Sequence, residues 1–210
     1  MLFQWVALGK DFAGSCPAKS YTLCGMRRIT SRPLFLWMML LAAAAQAAEV
    51  TVSAVRSGEV FQVDASAELE ASLTRAWQVL TNYDRLAVFV PDLQVSRVVS
   101  RERNSALVEQ KGAARLLFFS YPMDVRLAVT EYPRERVESR AVAGNFREMQ
   151  NTYTLEMRNG RVLLRYLGRM VPDFYVPPLI GTFVIRRSVE STFRALVDEI
   201  ERVQGEAEKP

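Results

Sequence analysis

The sequence predicts an α+β domain in which a curved antiparallel sheet holds one long C-terminal helix. Residues 123–132 and 149–170 alternate apolar with polar side chains, which is typical of strands with one buried face. The pair Asn159-Gly160 divides the second run, and both residues tolerate the positive φ angles that a tight antiparallel hairpin needs. Residues 179–203 place their apolar side chains on one helical stripe. We expect this helix to lie across the concave face of the sheet, around a space that is either filled by side chains or left as a cavity.

The N-terminal region has the features of a secretory leader. Residues 26–47, MRRITSRPLFLWMMLLAAAAQA, combine two arginines, an apolar run of twelve residues and a small-residue cleavage motif. They predict a signal peptide cleaved near Ala47, and hence a protein of the periplasm of a Gram-negative bacterium or a secreted protein. The apolar run is shorter than the roughly 18 to 20 residues that span a bilayer, although a retained anchor helix is the alternative. Residues 1–25 are predicted to be an unstructured extension upstream of the true start codon.

This leader carries most of the net charge. The sequence has 27 Lys and Arg and 23 Asp and Glu, of which five basic residues and one acidic residue precede residue 48. The predicted mature domain therefore has 22 charges of each sign and a net charge of zero. Its composition gives no support for binding nucleic acid. Both cysteines, Cys16 and Cys24, also precede residue 48, so the domain must be held together by its own core.

The rest of the chain reads as one domain at 48–205, followed by a disordered tail at 206–210. Residues 49–69 have the composition of strands, with a turn or bulge at Ser57-Gly58. Residues 72–92 begin as a helix, with apolar side chains at helical spacing, and Pro91 and its neighbours then interrupt the pattern. A helical segment is therefore expected to interrupt the sheet early in the chain.

The residue types exclude several kinds of chemistry. The sequence contains no histidine, and its predicted mature part contains no cysteine. Catalytic Ser-His-Asp and Cys-His systems and the common zinc sites are therefore impossible. Glycine-rich nucleotide-binding motifs and calcium-loop motifs are also missing. We predict no catalytic residue, no metal and no cofactor.

Large apolar side chains are the best candidates for a binding site. Two groups surround prolines, in LLFFSYPMDV at 116–125 and in MVPDFYVPPLIGTF at 170–183. Such side chains either rim the mouth of a cavity or plug the end of the core. The predicted ligand-binding residues are Trp77, Phe89, Phe118, Tyr121, Met123, Phe146, Met149, Tyr153, Tyr166, Phe174, Tyr175 and Phe183. Asp84, Arg147 and Glu148 are candidates for a polar contact with the ligand, and a solvated surface role is their alternative.

The sequence resembles the polyketide cyclase/dehydrase and coenzyme Q-binding branch of the START-like (SRPBCC) superfamily over about residues 60–203. The resemblance is carried by AWQVLTNYDRLAVFVPDLQVSRVV, FFSYPMDVRLAVTE, ESRAVAGNFREMQNTYTLE and PPLIGTFVIRRSVESTFRALVDEIE. It implies the helix-grip fold, with about seven antiparallel strands around the C-terminal helix and two short helices after the first strand. It also implies a deep apolar cavity, which members of the superfamily use for lipids, sterols, quinones, polyketides and plant hormones.

Three functions remain open at this point. The first is a periplasmic, non-enzymatic carrier of an apolar small molecule or lipid, such as a quinone or a polyketide-like compound. The second is a cofactor-free cyclase or dehydratase acting on a polyketide-like or aromatic substrate, which needs an ionisable side chain inside the cavity. The third is a protein-interaction module of the cell envelope, which needs a large exposed apolar patch. We further expect a monomer that makes transient contact with a membrane.

Overall fold

The computed structural model describes residues 48–116, 119–178 and 180–207. The described residues form eight strands, two α-helices before the third strand, one short 3-10 turn between these helices, and a long C-terminal helix. The strands are β1 (Val50–Ser57), β2 (Val60–Leu69), β3 (Leu93–Glu102), β4 (Ser105–Leu116), β5 (Phe119–Tyr132), β6 (Arg136–Gly144), β7 (Phe146–Arg158) and β8 (Arg161–Pro172). The helices are α1 (Leu73–Leu80), α2 (Leu86–Phe89) and α3 (Gly181–Ala207), and the 3-10 turn spans Tyr83–Arg85.

The strands form one antiparallel sheet in the order β1-β2-β8-β7-β6-β5-β4-β3. The segment from α1 to α2 is the only long crossover in the described part of the chain, and it carries the backbone from β2 to the opposite edge at β3. Every other connection joins neighbouring strands or leads into α3. The predicted helix-grip architecture, a curved open antiparallel sheet with a long C-terminal helix, is confirmed.

One detail of the predicted strand count differs. The turn at Ser57-Gly58 divides the first strand region into a complete hairpin, in which Ser57 pairs with Val60 and Val50 pairs with Ala67. The sheet therefore has eight strands rather than about seven among the described residues, and the short helices follow the second strand. At the other predicted turn, Asn159 and Gly160 have φ angles of 51° and 80°, as a two-residue antiparallel hairpin requires.

Helix α3 closes the concave face of the sheet and packs on β1, β2, β4 and α1. Its apolar stripe supplies fully buried core side chains, among them Phe193 and Ile200, which belong to the same hydrophobic cluster as Phe61 and Leu164 of the sheet. Truncating such a side chain, as in Ile200→Ala, is expected to cost about 2–5 kcal/mol of stability. The helix continues through Ala207, so residues 206 and 207, which were predicted to belong to a disordered tail, are helical.

The predicted upstream extension and signal peptide lie outside the described residues. None of the helices that the structure describes is long and apolar enough to cross a membrane.

Candidate functional site

A cavity of about 220 Å³ lies between α3 and the concave face of the sheet. Strands β4 to β8 contribute its floor, and α3 contributes its roof through Val184, Ile185, Ser188, Val189, Thr192 and Leu196. These positions recur three or four residues apart and therefore lie on one face of the helix. The helix stripe that the sequence predicted thus has two roles, because it fills the core near Ile200 and lines the cavity near Ile185.

Seven of the twelve predicted binding residues line this cavity. They come from three strands and the segment before α3, and they are Tyr121, Met123, Phe146, Met149, Tyr153, Tyr166 and Phe174. Alternating positions of a strand share one face, so Met123 of β5 and Tyr166 of β8 line the same cavity although they are distant in sequence. Contact of these side chains with a ligand stays a prediction.

The other five predictions have different outcomes. Trp77 and Phe89 are half-buried and pack against the core, and Phe89 borders a surface groove between α2 and α3. Tyr175 and Phe183 are 75% and 52% exposed. None of these four residues belongs to the lining of the cavity, although Phe174 and Val184, the chain neighbours of the last two, do. Contact of these four side chains with a ligand stays a prediction. Phe118 lies outside the described residues.

Sequence reasoning missed the aliphatic and small polar part of the lining. The aliphatic members include Leu80, Leu86, Val90, Leu93, Val108, Leu127, Val129 and Val137, and the polar members include Gln110, Ser139 and Asn151. The alternation of residues 123–132 does indicate that Leu127 and Val129 face inward. However, alternation does not distinguish a side chain that fills a core from one that borders a cavity.

Three aromatic rings pack together at one end of the cavity. The Tyr121 and Phe174 rings stack with centroids 5.5 Å apart, and Phe146 meets Phe174 edge-on at 6.0 Å. Tyr121 is near the start of β5, Phe146 starts β7, and Phe174 follows the end of β8. In this antiparallel sheet those strand ends lie at the same end of the sheet, and we expect the cavity to open there, beside the three rings. We call Tyr121, Phe146 and Phe174 the aromatic mouth.

Polar groups inside the cavity are neutral hydrogen-bonding groups. The Tyr153 and Tyr166 rings lie 4.8 Å apart, and the Tyr166 hydroxyl donates a 2.8 Å hydrogen bond to Oδ1 of Asn151. Burial raises the pKa of both tyrosines well above the ordinary value of 10.0. Both hydroxyls therefore keep their protons near neutral pH and act as hydrogen-bond donors rather than as bases.

A second tyrosine site lies at the α1–α2 side of the cavity. The Tyr83 hydroxyl donates a 2.9 Å hydrogen bond to Oε1 of Glu131, and Arg101 Nη2 lies 3.0 Å from the same oxygen. Burial, followed by the charge of Glu131, raises the pKa of Tyr83. Tyr83 lines the cavity, whereas Glu131 is held behind it by Arg101.

The three polar candidates lie on the surface and outside the lining. The Asp84 carboxylate accepts a 2.8 Å hydrogen bond from the Val98 N–H and so ties the 3-10 turn to β3. Arg147 pairs with Glu59 at 2.9 Å, and Glu148 pairs with Arg169. The structure therefore fits the alternative for these three residues, which is a solvated surface role. It does not fit their contact with a ligand in the cavity. Within the described residues, no group of three or more His, Cys, Asp or Glu side chains is arranged to hold a metal ion.

Solved structures of several bacterial proteins have the same fold. A STAR-related lipid transfer protein from Xanthomonas axonopodis has a TM-score of 0.61 at 16% identity, covering 76% of this chain and 96% of that one. An aromatase/cyclase from Streptomyces sp. R1128 has a TM-score of 0.59 at 11% identity, with coverages of 71% and 96%. A START superfamily protein from Mycobacterium smegmatis has a TM-score of 0.58 at 15% identity, with coverages of 68% and 98%. At these identities the likeness shows the fold alone.

The sequence itself gives the family. No curated protein sequence matches the chain. The sequence model described as "Polyketide cyclase / dehydrase and lipid transport" matches residues 69–197, from the end of β2 into the buried half of α3. The matched stretch includes the whole aromatic mouth and the Tyr153–Tyr166 pair. This chain therefore belongs to the polyketide cyclase/dehydrase and lipid transport family.

Proposed function

We propose that the protein binds and carries an apolar small molecule or lipid in the cavity under α3. The observation that carries this proposal is the character of the lining, which is apolar apart from a few neutral hydrogen-bonding groups and Asp92 at the mouth. Removing apolar ligand surface from water contributes about 25 cal/mol per Å². A guest that loses roughly 250 Å² of apolar surface would gain about 6 kcal/mol, part of which offsets its lost freedom of motion.

The volume limits the size of the guest. Drug-sized ligands occupy pockets of roughly 300–1,000 Å³, and the cavity of about 220 Å³ lies below that range. A two-ring aromatic compound, a quinone head group or a short stretch of acyl or isoprenoid chain matches this space. A longer lipid would extend through the aromatic mouth, where Tyr121 and Phe174 stack.

Two methionines of β7 supply a matched test. Met149 lines the cavity, whereas Met157 near the hairpin at the other end of the strand is 52% exposed. N-phenyl-1-naphthylamine, a neutral probe that fluoresces in apolar surroundings, should bind the wild-type protein. Met149→Trp fills the cavity and should weaken that binding at least about tenfold, a loss of roughly 1.4 kcal/mol. Met157→Trp should leave it unchanged. Equal binding by all three proteins would contradict the proposal.

A cyclase or dehydratase is the second candidate, favoured by the Tyr153 side chain in the lining of the cavity. The hydroxyl protons of Tyr83 and Tyr166 are given to Glu131 and Asn151, whereas these two bonds do not use the proton of the Tyr153 hydroxyl, which could polarise a carbonyl oxygen. Burial raises the pKa of Tyr153, so its hydroxyl keeps that proton near neutral pH. Turnover of an aromatic polyketide analogue that is lost in Tyr153→Phe, with probe binding retained, would favour the enzyme over the carrier.

We also propose that the cavity is loaded at a membrane surface. Tyr175 and Phe183 are exposed, and their chain neighbours Phe174 and Val184 line the cavity. Arg186 and Arg187, one turn beyond Phe183 on α3, are exposed as well. Aromatic side chains with basic neighbours suit the interface of an anionic bilayer. We call Tyr175 and Phe183 the exposed rim.

The leader supports export as the setting for this function. Residues 26–47 have the pattern of a signal peptide, and a carrier in the periplasm would move an apolar compound through water. We propose a monomer with its mature N-terminus at Ala48. N-terminal sequencing of the protein recovered from a periplasmic extract should read Ala48-Glu49-Val50, and light scattering should give the mass of one chain.

A further inference from the structure

Three inward positions on adjacent strands form a row across the cavity floor. Ser139 of β6 lies directly opposite Asn151 of β7, and Asn151 lies opposite Gly168 of β8. In the next row, Tyr153 lies opposite Tyr166. Ser139, Asn151 and Tyr166 all line the cavity.

Gly168 leaves room for the side chain of Tyr166 to reach from its own row to Asn151 in the neighbouring row. Tyr166 precedes it by two residues, so both occupy the same face of β8. A Cβ atom at position 168 would overlap the Tyr166 hydroxyl, and without one the tyrosine side chain lies along the strand over Gly168. From there its hydroxyl reaches Oδ1 of Asn151 at 2.8 Å. The amide nitrogen of Asn151 donates in turn to Oγ of Ser139 at 3.3 Å. We call Tyr166, Asn151 and Ser139 the polar row.

The two hydrogen bonds within the polar row do not use all of its hydrogen-bond donors. The tyrosine hydroxyl has one proton, which is given to the amide oxygen of Asn151. The amide nitrogen has two protons, and one is given to Ser139. The second amide proton and the proton of the Ser139 hydroxyl are not used by these two bonds. Both belong to groups that line an otherwise apolar space, and such a space favours a ligand that supplies a matching acceptor.

We propose that the polar row is a subsite for the carbonyl oxygen of an otherwise apolar ligand, such as a ketone, a quinone or an ester. This inference rests on the proposed function and names the chemical class of its ligand. A carboxylate or phosphate is disfavoured, because the described residues of the lining include no Lys or Arg that would compensate a buried anion. Tyr166 and Gly168 are positioning residues that hold Asn151 in its orientation, and Asn151 and Ser139 supply the donors.

The test uses a matched pair of probes. 2-Acetylnaphthalene carries a ketone, and 2-isopropenylnaphthalene has the same shape with a methylene group in place of the oxygen. Both dissociation constants are measured by calorimetry on the wild-type protein and on Ser139→Ala, Asn151→Ala and Gly168→Ala. We expect each variant to raise the ratio of the ketone constant to the hydrocarbon constant about three- to tenfold, which is the effect of losing one hydrogen bond. Gly205→Ala, with open space around its new methyl group, should leave the ratio unchanged.

A measurement on the wild-type protein alone keeps the test independent of how well the variants fold. In ¹³C NMR, the labelled carbonyl carbon of bound 2-acetylnaphthalene should resonate downfield of its position in cyclohexane, as expected for a hydrogen-bonded ketone. A resonance at the cyclohexane position would overturn the polar row as a subsite.

The remaining outcomes separate this inference from the proposed function. If both probes bind and the variants weaken them equally, the subsite is wrong and the apolar binding function stands. If neither probe binds the wild-type protein, both fail. Tighter binding of 2-naphthoate than of the ketone would overturn the neutral ligand class.

Discussion

The Tyr83 hydroxyl donates a 2.9 Å hydrogen bond to the buried carboxylate of Glu131, 48 residues further along the chain. This bond ties the 3-10 turn of the crossover segment to the end of β5. Arg101 of β3 joins the same carboxylate at 3.0 Å, and its guanidinium lies 5.4 Å from the centre of the Tyr83 ring. The crossover that closes one side of the cavity is thus held to two strands through one carboxylate.

Removing the Tyr83 hydroxyl is expected to destabilise the fold. Hydrogen bonds to charged groups contribute about 1.5–3 kcal/mol, so Tyr83→Phe should lower the free energy of unfolding by about that amount in urea denaturation. Tyr175→Phe removes the hydroxyl of a tyrosine that is 75% exposed and should change stability by less than about 0.5 kcal/mol. Similar losses for the two variants would show that the bond to Glu131 contributes nothing specific.

Gly144 is expected to tolerate no side chain. Its φ angle is 121°, and a Cβ atom there would overlap the carbonyl oxygen of Asp124 on β5. Gly144→Ala should therefore cost at least about 2–3 kcal/mol in the same denaturation experiment. Gly58 also has a positive φ angle, 60°, but a Cβ atom there would meet open space. Gly58→Ala should therefore lower the free energy of unfolding by only about 1–2 kcal/mol. Equal costs would indicate that backbone conformation alone, rather than the close approach of β5, determines the effect.

Stability is expected to fall in acid partly through Glu109. Arg97 and then Lys111 lower the pKa of this carboxyl below its ordinary value of 4.5 through hydrogen bonds. Because the folded pKa is the lower one, the ionised carboxylate stabilises the fold above about pH 4.5, and this contribution is lost as the pH falls through the folded value. Glu109→Gln should therefore lose less stability than the wild type between about pH 6 and about pH 3.

High salt supplies the control for that pH dependence. The Arg97 side chain is partly exposed, so salt at about 1 M should screen its interaction with Glu109 and bring the two pH profiles closer together. Parallel profiles of variant and wild type at low salt would contradict this role of Glu109.

The exposed rim is expected to govern membrane binding. The double variant Tyr175→Ser, Phe183→Ser should bind phosphatidylglycerol-containing vesicles about tenfold more weakly in a flotation assay, because two apolar contacts with the bilayer are lost. Leu167→Ser removes an apolar side chain of similar exposure, 49%, from β8 and should leave vesicle binding unchanged. Equal losses in both proteins would contradict a specific role for the rim.

The fold was predictable because its signals are local and repeated. Alternation along β5 and β8 and the apolar stripe of α3 indicate which face of each element is buried. The pair Asn159-Gly160 indicates an antiparallel hairpin. Their agreement leaves few arrangements other than a helix across an antiparallel sheet. Composition alone left open whether Ser57-Gly58 is a bulge or the turn of a complete hairpin, and the structure shows the hairpin. The count of about seven strands came from the family resemblance, and the hairpin raises it to eight among the described residues.

The site was only partly predictable. Tyr153 and Tyr166 line the cavity because they occupy inward positions of alternating strands, and alternation can be read from the sequence. Tyr175 and Phe183 were selected because they surround prolines, and composition does not reveal the direction of a side chain in such a segment. The polar row was missed because its geometry depends on pairing across β6, β7 and β8 and on Gly168, and no local pattern contains that register.

A crystal structure of the protein with bound 2-acetylnaphthalene tests the central claim most directly. The account predicts electron density for the naphthalene rings between α3 and the sheet, in contact with Phe146, Tyr153 and Leu196. Density for the probe only on the outer surface, with the space under α3 empty or closed by side chains, would contradict an apolar binding function for this cavity.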